Sequence, residues 1–76
     1  MIYLRHEAVA LDILHCDPSL EMSLGELIEL ANKVATRTPR TLEMVLEIGR
    51  ATAYDGVPVR NIINVWRTII GEPLAP

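Results

Sequence analysis

The chain has 76 residues, half of them hydrophobic, and a formal net charge of −3. This length allows one domain, and such small domains are marginally stable unless disulfides, metals or association contribute. Cys16 is the only cysteine, which excludes an intrachain disulfide, and the mild acidity argues against an autonomous nucleic-acid binder. The apolar runs are too short for a transmembrane helix, and residues 1–7 do not resemble a secretory signal. We therefore expect a cytoplasmic protein with no membrane partner.

The first predicted helix covers about residues 2–15. Leu4, Leu11 and Leu14 recur there at helical spacing and form one apolar stripe. Pro18 is expected to stop this helix because proline disfavours helical conformation at the residue before it.

The second predicted helix has the clearest start in the chain. Ser23 and Glu26 match a capping box, in which each side chain accepts a hydrogen bond from the other residue's backbone N–H. Apolar residues then repeat at helical spacing from Leu27 to Ala35, which predicts an amphipathic helix.

The third predicted helix begins with Thr38 as its N-cap and Pro39 at position N1. Its apolar residues surround much of the circumference, which predicts a central helix that is buried on two sides. Gly49 lies on this helix, and we expect it to let a neighbouring helix approach closely at a cost of about 1 kcal/mol in helix propensity.

The fourth predicted helix follows a turn at Gly56, which suits the left-handed C′ position, and starts with Pro58 at N1. Its apolar residues continue to Ile70 with helical rather than alternating spacing. Gly71 is expected to end it. We predict one helical domain over residues 1–71 and a flexible tail over 72–76.

Together these elements predict an all-α fold: a compact single-domain bundle of four short helices, with the third or fourth helix at its centre. The second and third predicted helices are joined by a short turn, and their order and caps are like those of a helix-turn-helix pair. The residues predicted to form the core are Leu27, Ala31, Leu42, Val45, Leu46, Ile62, Ile63 and Trp66.

The sequence contains no recognisable catalytic, cofactor or metal site. His15 and Cys16 are adjacent on a helix, so their side chains point about 100° apart and cannot act as base and nucleophile. Cys16 is therefore expected to pack as a small apolar residue. His6 and His15 would lie about 13 Å apart along a helix, too far to share a metal ion. We expect a protein that is not an enzyme and that needs no cofactor.

Glu43 and Glu47 lie four residues apart on the third helix, and Arg50 follows three residues later. A catalytic pair of carboxylates is one interpretation of this spacing. An exposed, weakly ion-paired face with a Glu47–Arg50 pair is much commoner, and we adopt it.

The first functional hypothesis comes from a surplus of aliphatic residues. A bundle of this size is not expected to bury all of them, and exposed apolar patches usually mark a binding partner. We expect a protein-interaction or regulatory module that binds a protein partner, a second copy of itself, or both. The residues predicted to form this surface are Leu30, Met44, Ile48, Val65 and Ile70.

The alternative hypothesis comes from two short motifs, residues 23–27 (Ser-Leu-Gly-Glu-Leu) and 38–42 (Thr-Pro-Arg-Thr-Leu). They resemble the pattern around the reading helix of AraC-type activators, although the spacing between them is about one helical turn longer and the turn lacks a glycine. The resemblance implies a helix-turn-helix regulator that reads DNA with the N-terminus of the third helix. The residues predicted to contact DNA are Lys33, Arg37, Arg40 and Thr41.

Overall fold

A computed structural model of the chain describes residues 2–74, and the chain there folds into four α-helices without a β-strand. The helices are α1 (Arg5–His15), α2 (Leu24–Arg37), α3 (Leu42–Tyr54) and α4 (Val59–Ile70). The predicted all-α bundle is confirmed.

One apolar core is formed by buried residues from all four helices. α2 and α3 each pack against the other three helices, so the centre of the bundle is shared between them. The third or the fourth helix was predicted to be central: α3 has this position together with α2, whereas α4 packs mainly on α2. All of the predicted core residues are buried except Leu42, which is partly buried at the start of α3.

The turn between α2 and α3 differs from the prediction. Thr38 is the C-cap of α2, and its hydroxyl donates a hydrogen bond to the Val34 carbonyl at 2.7 Å. The N-cap of α3 is Thr41, whose hydroxyl accepts the Met44 N–H at 3.1 Å. The prediction of Thr38 as N-cap and Pro39 at N1 was wrong, because two threonines compete for the cap and the second one lies next to the apolar stripe of α3.

The starts of α1 and α4 are also shifted. α1 begins at Arg5 rather than at residue 2, with Leu4 in the N-cap position. α4 begins at Val59, which places Pro58 at the N-cap and not at N1. Proline suits both positions because neither requires its missing N–H.

The glycine and capping-box predictions are confirmed. Gly56 has a φ of 99° after α3, and Gly71 has a φ of 75° as the C-cap of α4. Both angles are in the left-handed region, which glycine adopts without the steric penalty of a Cβ. In the capping box of α2, Ser23 accepts the Glu26 N–H and donates its own N–H to the Glu26 carboxylate, each at 3.1 Å.

Gly49 marks the point where α3 meets both α1 and α4. A Cβ at this position would lie 2.7 Å from Cζ2 of Trp66 on α4 and 3.3 Å from Cδ1 of Ile13 on α1. Both distances are shorter than ordinary van der Waals contact, so only glycine allows the indole ring to pack this close to α3. The predicted close approach at Gly49 is confirmed.

Part of the predicted tail is attached to the bundle. The Glu72 N–H donates to the Arg67 carbonyl at 2.9 Å, and the Glu72 carboxylate accepts a hydrogen bond from Nζ of Lys33 at 2.9 Å. Residues 75 and 76 of that tail lie outside the described residues. No helix within residues 2–74 has the length and apolar content that a membrane crossing requires.

Candidate interaction surface

An apolar groove runs between α3 and α4. It consists of two adjoining depressions of about 310 and 180 Å³, and both are lined by Ile48, Val65 and Trp66. Because they share these residues, the two depressions form one continuous surface feature, which we call the α3–α4 groove. Arg40 lies at one end and Val57 at the other.

The walls of the groove are the flanks of two helices whose main stripes face the core. On α4, Val65 and Ile69 lie four residues apart on the same side, next to the buried Trp66. On α3, Ile48 lies beside the buried Gly49, against which the indole ring packs. The helices are therefore in contact at the floor of the groove and leave apolar side chains uncovered along its walls.

Three of the residues predicted for a partner surface are exposed on this side of the bundle. Val65 is 58% exposed, Met44 48% and Ile48 47%. Met44 lies one turn before Ile48 on α3 and extends that wall toward the N-terminus of the helix.

The exposure expected of Leu30 and Ile70 was wrong. Leu30 is 6% exposed and Ile70 8%, and both belong to the core. Leu30 comes four residues before Val34, so it falls on the buried stripe of α2. Ile70 comes four residues after Trp66 and is buried for the same reason on α4.

Sequence reasoning missed two apolar residues of the groove, Val57 and Ile69, which are both exposed. Ile69 was in neither the predicted core nor the predicted partner surface, although its four-residue spacing from Val65 places it on the same exposed flank. Val57 lies in the turn between α3 and α4, where helical periodicity gives no information. It is predictable only once the groove is known.

The groove has charged residues only near its ends. Arg40 lines the end that contains Ile69. Asp55, the exposed C-cap of α3, lines neither depression but comes two residues before Val57, which lines the other end. Asp55 comes seven residues after Ile48, so helical spacing places it on the same side of α3. Neither Arg40 nor Asp55 forms an ion pair with any described residue.

The α1 side of α3 is charged instead. Arg5 of α1 pairs with Glu43 and Glu47. Nη1 of Arg50 lies 2.9 Å from Oδ2 of Asp12 on α1, and its Nη2 lies 3.9 Å from the Glu47 carboxylate. The predicted Glu47–Arg50 pair is present, but the main partners of these residues are on α1. Glu43 and Glu47 keep 53% and 39% of their side chains exposed, so the predicted exposed, ion-paired face is present, and it also connects α3 to α1.

The residues predicted to contact DNA do not form one basic surface. Nζ of Lys33 lies 2.9 Å from one carboxylate oxygen of Glu72 and 3.8 Å from one of Glu29. The hydrogen bond that Lys33 donates to the Glu72 carboxylate raises the pKa of Lys33. Lys33 and Arg37 line one depression beside Glu72, whereas Arg40 lines the α3–α4 groove. The fourth residue, Thr41, uses its hydroxyl to cap α3.

Cys16 is exposed rather than packed: its spacing from Val9 and Ile13 places it on the apolar side of α1, but it is the C-cap, beyond the last residue of the helix. Its thiol donates to the Asp12 carbonyl at 3.3 Å. Among the described residues, no three His, Cys, Asp or Glu side chains are grouped so that they could hold a metal ion.

Comparison with known proteins finds no match to this chain among family models, curated proteins or solved structures. The resemblance of residues 23–27 and 38–42 to AraC-type activators thus has no family match to support it. The groove, its charges and its apolar walls remain as the basis for a functional proposal.

Proposed function

We propose that the protein is a small helical interaction module that binds a protein surface in the α3–α4 groove. The observation that supports this is the group of exposed aliphatic side chains that line the α3–α4 groove. Contiguous exposed apolar patches often mark a binding site. The exposed aliphatic residues of the groove are Ile48, Val57, Val65 and Ile69, and the exposed Met44 lies one turn before Ile48 on α3.

The composition of the groove fits recognition of a helix or another apolar protein surface. Such sites combine aliphatic anchors at the centre with polar groups at the rim. Here Ile48, Val65 and Trp66 lie at the centre, and Arg40 lies at one end. The aliphatic centre would supply most of the binding free energy, and the charge at the end would orient the bound surface.

Binding would also stabilise the module itself. The free energy of unfolding of a domain of this size is only a few kcal/mol. Apolar burial contributes about 25 cal/mol for each Å² removed from water. Covering the groove with a few hundred Å² of partner surface would therefore add a term comparable to the stability of the free domain. This is consistent with a regulator that acts by covering or recruiting another protein.

Site-specific photo-crosslinking tests the proposal with a matched pair of positions. Thr52 lines the groove, and its hydroxyl donates to the Ile48 carbonyl at 2.7 Å. Thr36 on α2 is exposed and makes the same type of bond, to the Asn32 carbonyl at 3.0 Å. We expect benzoylphenylalanine at position 52 to form discrete protein adducts, with this chain or another, and the same group at 36 to form none.

A second variant separates binding from folding. Val65→Asp places a carboxylate in the centre of the groove at an exposed position, so we expect the fold to remain and the adducts at position 52 to disappear. Ile2→Asp, at an exposed position before α1, is the control and is expected to leave the adducts unchanged. Equal adduct yields at positions 52 and 36, or no adducts at either, would refute the proposal.

DNA binding is the second candidate function. It is favoured by Arg37 and Arg40, exposed cations without an ion pair in the described chain that flank the α2–α3 turn. Retention on duplex DNA at low and high salt tests it, since phosphate contacts make binding strongly salt-dependent. Loss of retention in Arg37→Ala would support this candidate because Arg37 does not line the α3–α4 groove. Absence of retention by the unmodified protein would eliminate it.

A further inference from the structure

We propose that the occupant of the α3–α4 groove is a second copy of this chain, related by a two-fold axis close to Ile48. In this dimer, Arg40 of each copy pairs with the partner's Asp55. The inference rests on the proposed docking function of the groove, and it specifies the partner and its orientation.

The charges along α3 carry the argument. Arg40 comes eight residues before Ile48, and Asp55 comes seven residues after it. Arg40 lies in the turn two residues before α3, and Asp55 is the C-cap at the other end of that helix. The cation and the anion are therefore separated by the length of α3, about 20 Å at 1.5 Å per residue, with Ile48 at the middle of the helix. Both lack an ion pair within residues 2–74, although the neighbouring charged residues Glu43, Glu47 and Arg50 all have one.

A two-fold axis turns this pattern into a complementary one. In an isologous dimer, residue i of one copy contacts residue j of the other, and j contacts i. When two copies face each other with antiparallel α3 helices, the Arg40 end of each lies over the Asp55 end of the other. Two ion pairs form at the rim, and Ile48 and Val65 of both copies meet near the axis.

The same charges disfavour a strongly charged partner. A uniformly acidic peptide would be attracted by Arg40 and repelled by Asp55, and a basic peptide would meet the reverse. Arg40 lines one end of the groove and Asp55 lies beyond the other end, so neither peptide meets a field of one sign. A partner with the same pair of charges in reversed order has complementary contacts at both ends, and a second copy meets this requirement.

The size of the face sets the expected affinity. Two helices about 20 Å long, with their axes about 10 Å apart, present several hundred Å² per copy. Specific interfaces usually bury about 800 Å² per partner, so this one is at the lower limit of the range. We therefore expect a dimer that dissociates on dilution through the micromolar range.

Sedimentation velocity of the full chain across that concentration range measures the dimer. The expected result is a shift from the monomer mass of 8.5 kDa to twice that mass as concentration rises. Val65→Asp should remain monomeric throughout, with circular dichroism to confirm that it is folded. A wild-type protein that is monomeric at every concentration overturns the inference.

Charge reversal tests the orientation of the two copies. Arg40→Glu and Asp55→Arg, each alone, bring like charges together twice per dimer, and each should raise the dissociation constant about tenfold. The double variant R40E/D55R restores both pairs with reversed sign and should return the constant to near the wild-type value. Arg37→Glu changes the net charge by the same amount as Arg40→Glu but outside the groove, so it should have little effect on the dissociation constant.

The outcomes separate the two proposals. A dimer that is not rescued in R40E/D55R overturns the two-fold arrangement. A monomeric chain whose position 52 still crosslinks to a different protein overturns the second-copy inference and leaves the docking function supported. A monomeric chain without adducts overturns both.

Discussion

The two sides of α3 differ in how their interfaces are completed. Toward α1, charged residues surround the contact: Arg5 pairs with Glu43 and Glu47, and Arg50 pairs with Asp12. Toward α4, the contact is confined to the floor of a groove whose walls are aliphatic and uncovered. The comparison shows that one helix can complete its ion pairs within the chain on one side and leave an apolar surface for a partner on the other.

The largest expected effect is on the free energy of unfolding, when an isoleucine is replaced by alanine on one side of α3 or the other. Ile13→Ala removes a fully buried side chain from the α1 contact and should lower the free energy of unfolding by about 2–5 kcal/mol. Ile48→Ala removes an exposed side chain from the groove and should change it by less than about 0.5 kcal/mol. Urea denaturation at low protein concentration measures both values. Similar losses in the two variants would show that the groove wall is part of the core.

Gly49 lies where α3 contacts both α1 and α4, so a side chain added at this position should disturb both contacts. In Gly49→Ala, the new Cβ would meet Trp66 on α4 and Ile13 on α1. Overpacking costs about 1–3 kcal/mol and exceeds the gain of about 1 kcal/mol in helix propensity, so we expect a net loss of about 1 kcal/mol. Gly25→Ala is the control, because the nearest atom to its Cβ, Oγ of Ser23, would be 4.0 Å away. That variant should gain up to about 1 kcal/mol, and a gain at Gly49 as well would contradict the close approach.

The ion pairs on the α1 side should contribute less. A double-mutant cycle of Arg50→Ala and Asp12→Ala is expected to give a coupling energy below about 1 kcal/mol, because both side chains remain partly exposed and solvent screens the pair. The coupling should decrease further at high salt. A coupling energy of several kcal/mol that does not depend on salt would contradict the partial exposure of these two side chains.

The smallest effect concerns pH and the start of α2, away from both sides of α3. The Ser23 backbone N–H, followed by its hydroxyl, lowers the pKa of the Glu26 carboxyl. A carboxyl whose pKa falls on folding stabilises the protein above its unfolded pKa, and this contribution disappears as the pH drops through the folded pKa. The stability advantage of the wild type over Glu26→Gln should therefore shrink from neutral pH into the acid range. Thermal unfolding of both proteins measures it, and a difference independent of pH would argue against the shift.

The location of the candidate site was only partly predictable. Met44, Ile48 and Val65 are exposed, as expected, because they lie beside the main apolar stripes of α3 and α4. Their assembly into one groove with Val57 and Arg40 depends on how α3 and α4 are placed against each other. No periodicity within a single helix contains that information.

The sequence alone determined the number of helices, the start of α2 and the glycines that follow α3 and α4, because helical periodicity, capping boxes and left-handed glycines act over a few neighbouring residues. Ser23 and Gly71 show this. Tertiary structure decided which side chains at the edge of a stripe are covered, as with Leu30 inside the core and Ile69 outside it. Such a side chain is buried only if another helix lies against it. The pair of Arg5 with Glu47 likewise joins residues 42 positions apart, which only packing brings together.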